Sequence, residues 1–364
     1  MTGPNSEIVL ALNSGSSSLK FGLYALEAGE PVALFDEHVD SAADGCAMLD
    51  RIAAKLAAAD LPTPTIVGHR IVHGGPGLRQ HCRIDAGVIV ELKAALPFAP
   101  LHGPASLKLI GAATARYPDL SQIACFDTAF HMTLPPVAHV LPIAKPLRDG
   151  GVRRYGFHGL SCESVVHQLG EECPDKLIIA HLGNGASVTA VKAGRSIDTS
   201  MGLTPSGGVM MGTRSGDLDP GLMIHLLTKT GMDPGALAAM IDQQSGMLGV
   251  SGVSGDMRAL HAAAAANADA RLAIEMFCYS VRKQMAAMIA ALGGVDMIVF
   301  TGGIGENDAV VRARICEGLT WAGVPASGTD RGEAGCEVRA IACHEDKQIA
   351  RHCHRIVSGT AASR

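Results

Sequence analysis

A short apolar strand that runs into a polar, glycine-bearing turn and then a second strand occurs twice in this chain. A repeat of that kind limits the fold more than any single motif. The first copy is Ile8 to Leu12, the turn Asn13-Ser14-Gly15-Ser16-Ser17-Ser18, the strand Leu19 to Ala25, a turn over Glu27 to Pro31 and a third strand, Val32 to Phe35. The second copy is Leu177 to Ala180, the turn His181-Leu182-Gly183-Asn184-Gly185-Ala186-Ser187, the strand Val188 to Val191 and the turn Lys192-Ala193-Gly194. Gly15 aligns with Gly185, Leu12 with Leu182 and Ser17 with Ser187. The pattern predicts two similar α/β domains, each opening with a hairpin whose turn is suited to phosphate. A length of 364 residues accommodates two.

Between and after the hairpins, the spacing predicts helices over 47–58, 104–116, 160–172, 220–230 and 271–292, and strands over 65–72, 122–126 and 297–300. The longest helix stops at Gly293-Gly294, a C-cap signal. Its stripe of Phe277, Val281, Met285, Met288, Ile289 and Leu292 reads as core or as a dimer contact.

Composition removes several function classes. With 48% hydrophobic and 18% charged residues the chain is not disordered. Glycine, at 43 of 364 residues without a G-x-y repeat, excludes collagen and points to close backbone approaches. A net charge of −5 and a single Trp disfavour a nucleic-acid partner. Ten cysteines with no C-x-x-C pair read as reduced, cytosolic thiols. Met1 to Glu7 lacks an apolar signal core, and Gly293, Gly294 and Asp296 interrupt the best membrane candidate, Met285 to Phe300. The expectation is a soluble, cytoplasmic protein.

Three glycine turns follow short apolar strands, at Asn13–Ser18, His181–Ser187 and Thr301–Asn307. Such turns offer backbone N–H groups to anions. Neither G-x-x-x-x-G-K-[ST] nor a helix-opening G-x-G-x-x-G is present, so a P-loop is not the route to phosphate; three strand-first turns with a duplicated hairpin point to a nucleotide held between two domains. Several segments place one polar residue among glycines and apolar residues. They include His69-Arg70-Ile71-Val72-His73-Gly74-Gly75, Phe126-Asp127-Thr128, Tyr155-Gly156-Phe157-His158-Gly159 and Met211-Gly212-Thr213-Arg214-Ser215-Gly216-Asp217.

These segments carry a family resemblance. N-S-G-S-S-S-L-K at 13–20, G-H-R-I-V-H-G-G at 68–75, A-P-L-H-G-P at 99–104, F-D-T-A-F-H at 126–131 and Y-G-F-H-G at 155–159 all match, in order. So do H-L-G-N-G at 181–185, M-G-T-R-S-G-D-L-D-P at 211–220, G-V-S-G-V-S-G-D-M-R at 249–258 and F-T-G-G-I-G-E-N at 300–307. The chain resembles the acetate kinases, in the superfamily of acetate and sugar kinases, actin and the Hsp70 ATPase domain. The resemblance implies an α/β fold of two duplicated ribonuclease H-like (actin/hexokinase-type) domains with an interdomain active-site cleft. The first domain would span 1–126, completed by a C-terminal helix over 347–364. The second, nucleotide-binding domain would span 127–346.

The implied reaction is reversible phosphoryl transfer from ATP to acetate, giving acetyl phosphate and ADP on a route toward acetyl-CoA. A carboxylate is already ionised near neutral pH and needs no general base, so catalysis reduces to positioning and positive charge. By resemblance, Asp127, His158 and Arg214 are catalytic: Arg214 and His158 stabilise the transferring group, and Asp127 acts as an acid or orients an Arg. Arg70 would bind the acetate carboxylate, and Val72, Leu101, Phe157 and Pro205 would wall the acyl pocket. Lys20, His181, Leu182, Gly183, Asn184 and Gly185 match nucleotide positions, as do Asp256, Met257 and Arg258, and Gly303, Ile304, Gly305, Glu306 and Asn307. Asn13 and Glu345 match magnesium positions, with Mn2+ able to substitute. A homodimer is implied, with no nucleic-acid or membrane partner.

The chain departs from the family pattern in three places. The 20–70 stretch is short, Cys162 stands where His is usual, and Cys343-His344 precede Glu345 in place of Thr-Asn. Cys343, His344, His352, Cys353 and His354 fit no standard zinc spacing and read as ordinary surface and core residues. Three other readings share the fold: a propionate- or butyrate-preferring kinase, a sugar kinase using Asp127 as base, and a non-catalytic nucleotide-binding protein.

Overall fold

The computed structural model describes residues 7–14, 18–40, 45–100, 102–331 and 335–359. Met1–Phe130, Gly159–Ser164 and His344–Arg364 form one compact unit, and His131–His158 with Val165–Cys343 form a second. The Gly159–Leu169 helix therefore straddles the division. The expectation from sequence was a boundary at 126/127.

The first unit is built on a six-stranded sheet. Its strands are β1 (Ile8–Ser14), β2 (Ser18–Glu27), β3 (Glu30–Asp40), β4 (Ile66–Ile71), β5 (Cys82–Arg83) and β6 (Ser121–Phe126), in the order β3-β2-β1-β4-β6-β5. Strands β1, β4 and β6 run parallel, and the others pair antiparallel. Strand β1 is buried on both sides, as a parallel strand between helical layers must be. Leu10 and Leu12 join Leu49, Ile52 and Leu109 from the Gly45–Ala58 and Gly103–Arg116 helices. On the opposite side Val9 and Ala11 join Ile349, Ala350 and Cys353 of the Glu345–Val357 helix. Gly68 on β4 is required there, because a Cβ would stand 2.5 Å from both Cys353 Sγ and Ile349 Cγ2.

The second unit repeats the plan. Its strands are β7 (Lys176–Leu182), β8 (Ala186–Lys192), β9 (Arg195–Thr199), β10 (Met297–Thr301), β11 (Asp330–Arg331) and β12 (Glu337–Ala340), in the order β11-β12-β10-β7-β8-β9. Read from the β9 edge, each strand has its counterpart in the first sheet, down to the two-residue antiparallel edge strands β5 and β11. Both β2–β3 and β8–β9 turn through an Ala-Gly pair with positive φ, 51° and 86° at Ala28-Gly29 and 47° and 74° at Ala193-Gly194. That geometry matches the right-handed strand twist.

The predicted elements recur with shifted ends. The long helix runs Ala268–Leu292, because the Asn267 side chain caps Asp269 and Ala270, and it ends at Gly293 with φ 67°. Its apolar stripe from Phe277 to Leu292 is buried. Thr301–Asn307 is corrected from a turn to a strand end followed by a Gly302–Asn307 helix. The C-terminal helix is Glu345–Val357, against an expected 347–364. Among the described residues no helix is long and apolar enough to cross a membrane.

His69, in the middle of β4, is fully buried with its Nε2 at 2.7 Å from Gln122 Oε1 and, among the described residues, no partner at its Nδ1. Burial lowers its pKa from 6.5 to about 4 despite that hydrogen bond. The unfolded chain thus takes up this proton first as pH falls, so stability present above pH 6.5 is lost on the way down to pH 4. His69→Gln should remove about 2 kcal/mol of the stability loss between roughly pH 7 and 4.5, read by urea denaturation. An unchanged pH slope would refute the assignment.

Candidate active site

In each sheet the candidate residues gather where parallel strands end. Ligands in open α/β sheets bind outside the carboxyl ends of the strands, where successive chains diverge. In the first unit β1, β4 and β6 are adjacent, with Leu12 beside His69 and Ile71 beside Phe126. Asn13, Arg70 and Asp127 therefore come out at one edge. The Asp127 N–H continues the ladder to the Ile71 carbonyl at 3.0 Å.

Arg70 is the centre of this group. Its Nε donates to Asp127 Oδ1 at 3.0 Å and its Nη2 to Oδ2 at 2.7 Å, a bidentate fork. Its Nη1 donates to Asn13 Oδ1 at 3.0 Å and lies 3.8 Å from Glu345 Oε2. Burial raises the Asp127 carboxyl above its usual range, the Arg70 guanidinium pulls it down, and the charges of Glu345 and Glu163 add to the rise. The Asn13 amide is turned by its neighbours: Nδ2 donates to Glu345 Oε2 at 2.9 Å and to Asp346 Oδ1 at 2.8 Å. Asp346 did not emerge from the sequence, although its place next to Glu345 in the first helical turn was a usable signal. Among the described residues its buried Oδ2 makes no hydrogen bond, and it stands 3.1 Å from the Lys20 ammonium. Lys20, expected at the nucleotide, is thus tied to this carboxylate pair. Val72 is buried and lines a small apolar cavity with Ile71, His73 and Leu92, while Leu101 lies outside the described residues.

The second unit carries its own group at the ends of β7 and β10, where His181 pairs with Thr301. His158 precedes the Gly159–Leu169 helix in the left-handed region at φ 59°, a conformation that costs a non-glycine residue energy and recurs at functional sites. Its Nδ1 lies 2.9 Å from Ser187 Oγ, and its ring stacks on His181 at 4.1 Å. Gly185 lies close against two side chains: a Cβ there would sit 3.2 Å from both His158 Nε2 and Arg214 Nη1. Arg214 Nη1 donates to the Pro205 carbonyl at 3.1 Å. His158, His181, Gly185, Pro205 and Arg214 are brought together, and Phe157 is buried with its carbonyl accepting from His131 Nε2 at 2.9 Å.

Glycines let the loops around Arg214 pack chain against chain. A Cβ on Gly246 (φ 63°) would fall 2.3 Å from the Met211 carbonyl and 2.6 Å from that of Arg214. Sixteen of the 43 glycines lie in 181–221, 246–255 and 302–305. The nucleotide candidates are mostly shaping residues by their side chains. Asp256 caps the Met257–Ala263 helix and pairs with Arg258 Nη2 at 2.8 Å. Glu306 Oε1 accepts from the backbone N–H groups of Gly302 (3.0 Å) and Cys343 (2.9 Å), and Asn307 Nδ2 donates to the Gly303 carbonyl at 2.9 Å. Gly183 and Asn184 form the β7–β8 turn, Leu182 ends β7 in the core, and Ile304 and Gly305 lie in the Gly302–Asn307 helix.

Comparison with known proteins is consistent across the chain. Residues 35–352 match the Acetokinase family. An acetate kinase of Brachyspira hyodysenteriae is 40% identical, with 94% of this chain and 98% of that protein covered. The crystal structure of Porphyromonas gingivalis acetate kinase superposes with a TM-score of 0.85 at 32% identity, covering 96% of this chain and all of that one. A propionate kinase from Francisella tularensis superposes with a TM-score of 0.86 at 33% identity over the same shares.

The Arg70–Asp127 fork gives a stability test that needs no assay. Asp127→Ala should cost about 3 kcal/mol in chemical denaturation, because it leaves a largely buried guanidinium without its main partner. Replacing both residues with apolar ones should recover most of that loss, and a double-variant cost equal to the sum of the two single-variant costs would show that the pair is not coupled.

Proposed function

This chain belongs to the acetokinase family, and from that premise we propose how its two groups of residues divide the transfer of a phosphoryl group from ATP to acetate. The enzyme is a phosphotransferase with a carboxyl group as acceptor. The acceptor arrives ionised, so no proton has to be removed. What must be overcome is the repulsion between an anionic acceptor and an anionic nucleotide, which calls for fixed positive charge and alignment.

The observation that carries the reading is the Arg70 fork. Asp127 holds the Nε and Nη2 edge, and the Nη1 end is directed toward Asn13 and Glu345. On this reading Asp127 orients Arg70 rather than acting as an acid, and Arg70 receives the acetate carboxylate. By family resemblance, the apolar residues assigned to the methyl group are Val72, Leu101, Phe157 and Pro205. In the second unit Arg214 and His158 stabilise the transferring phosphoryl group. The 181–185 turn and the 256–258 and 303–307 segments hold the nucleotide, with Asp256 and Glu306 acting by fixing backbone shape.

Glu345 and Asp346 offer hard carboxylate oxygens, and Asn13, whose Nδ2 faces them, would have to turn its Oδ1 toward an ion; with that turn the set suits Mg2+. They would hold the metal, which when bound supplies charge neutralisation at the phosphates. Lys20 balances the carboxylates. The reading extends to a cytoplasmic homodimer whose product feeds acetyl-CoA formation.

The propionate kinase neighbour favours a second reading, a preference for a longer acid. One extra methylene changes binding in an apolar pocket by about 1–3 kcal/mol. A panel of acetate, propionate and butyrate with Mg-ATP decides it: kcat/KM highest for acetate is expected, and a higher value for propionate overturns the choice. Arg214→Ala should lower kcat by about 10²–10³ with the fold retained. Turnover within about threefold of wild type would remove Arg214 from the mechanism.

A further inference from the structure

A histidine, glutamate and second histidine meet in the first unit behind Asp127, from three distant parts of the chain. His81 immediately precedes β5, Glu163 lies on the Gly159–Leu169 helix and His352 lies on the Glu345–Val357 helix. His352 Nε2 is 2.5 Å from Glu163 Oε2, and His81 Nε2 is 3.5 Å from Glu163 Oε1. The two imidazole rings lie 3.8 Å apart. Gln348 Nε2 donates to Glu163 Oε2 at 3.4 Å. All three side chains of the triad are less than one fifth exposed. The reaction assigned to the site uses none of them.

Resting on the reading of Asp127 as the residue that orients Arg70, we propose that His81 is a positioning residue for Asp127, locked in place by Glu163 and His352. Strand β5 is only two residues long, so its ladder along β6 ends early: Cys82 sits opposite Ala124, and the Ile84 N–H reaches the Gln122 carbonyl. The next β6 N–H on that side, at fully buried Phe126, has no strand partner there. His81 Nδ1 accepts it at 3.0 Å. A buried N–H left unmet is costly, so this bond decides where the end of β6 lies. Asp127 follows at once. Its own N–H is bound by Ile71, and its carbonyl accepts from the Gly159 N–H at 2.8 Å. Gly159 and Glu163 share one helix. Asp127, Phe126, His81, Glu163 and Gly159 therefore form a closed ring of backbone and hydrogen bonds, and a closed ring cannot yield at one member alone.

The same three side chains would suit a metal by type. The tautomer argues against it. Because His81 Nδ1 accepts from Phe126, its proton sits on Nε2, toward Glu163. A metal at Nε2 would have to remove that proton and break the Phe126 bond. Glu163 is held well below the usual carboxylate range: burial works upward, but His352 and His81 outweigh it. Burial also lowers His352, favouring its neutral form. His352 and His81 both direct Nε2 at the Glu163 carboxylate, and those contacts are what hold it down.

The test uses the full-length enzyme with Mg-ATP and acetate. His81→Phe keeps a ring but removes the acceptor, and should lower kcat by about tenfold or more with KM for ATP little changed. His81→Asn places Oδ1 where Nδ1 stood and should retain kcat within about threefold of wild type. A structural role alone would not produce rescue by Asn over Phe. Wild-type kcat in His81→Phe, or equal losses in Phe and Asn variants, overturns the proposal. Should His81→Phe fail to fold, Glu163→Gln carries the test, and wild-type kcat there overturns it equally. Asp127→Asn runs alongside: full activity in that variant would sink the reading of Asp127 itself, a different result from an inert His81. Stoichiometric Zn2+ binding to the wild type that disappears in His352→Gln would show the tautomer to be wrong, and the proposal with it.

Discussion

Three parallel strands ending at a common edge set the geometry of the first unit. Strands β1, β4 and β6 are held in register by backbone hydrogen bonds, so the residues at their ends cannot be displaced independently. Asn13, Arg70 and Asp127 are there because their strands end there. Their mutual bonds then fix the remaining freedom of the Arg70 side chain, with the Asp127 fork on one edge of the guanidinium and Asn13 on the other end. A guanidinium so restrained is pre-organised for an anion, because little motion is left to be lost on binding.

The second unit reaches a comparable result with different means. Its sheet has the same order, but the group around His158 and Arg214 is held by stacking, by a strained backbone at His158 and by glycine-lined loops. The glycine content of the chain has its physical reason in those loops. At Gly246 even a methyl group would collide with two carbonyl oxygens. Glycine here permits contact between backbones rather than movement.

Much of this was legible in the sequence, for identifiable reasons. The strand–turn–strand repeat foretold the duplicated sheets, since a period of two and an Ala-Gly or polar turn are local properties. The strand that carries Arg70 and the strand end before Asp127 could be read from apolar runs that hold or close on a charged residue. Thr301–Asn307 was misread as a turn because a glycine-rich segment does not show its helix in composition. Asp346 was overlooked beside Glu345. The triad of His81, Glu163 and His352 was invisible, as its members come from elements that only tertiary packing unites. The spacing of His352 from its near neighbours in sequence said nothing about Glu163.

The sequence by itself determined the class of fold, its duplication, the family and the identity of the charged residues at the strand ends, because each depends on short-range pattern. Only the tertiary structure decided which of those residues touch. It showed Lys20 bound to Asp346, Asp127 committed to Arg70, Asp256 and Glu306 spent on backbone N–H groups, and a buried carboxylate clamped between two histidines behind Asp127. A side chain's partner is set by distance and burial, and those come from the packing of elements remote in sequence, on which local pattern carries no information.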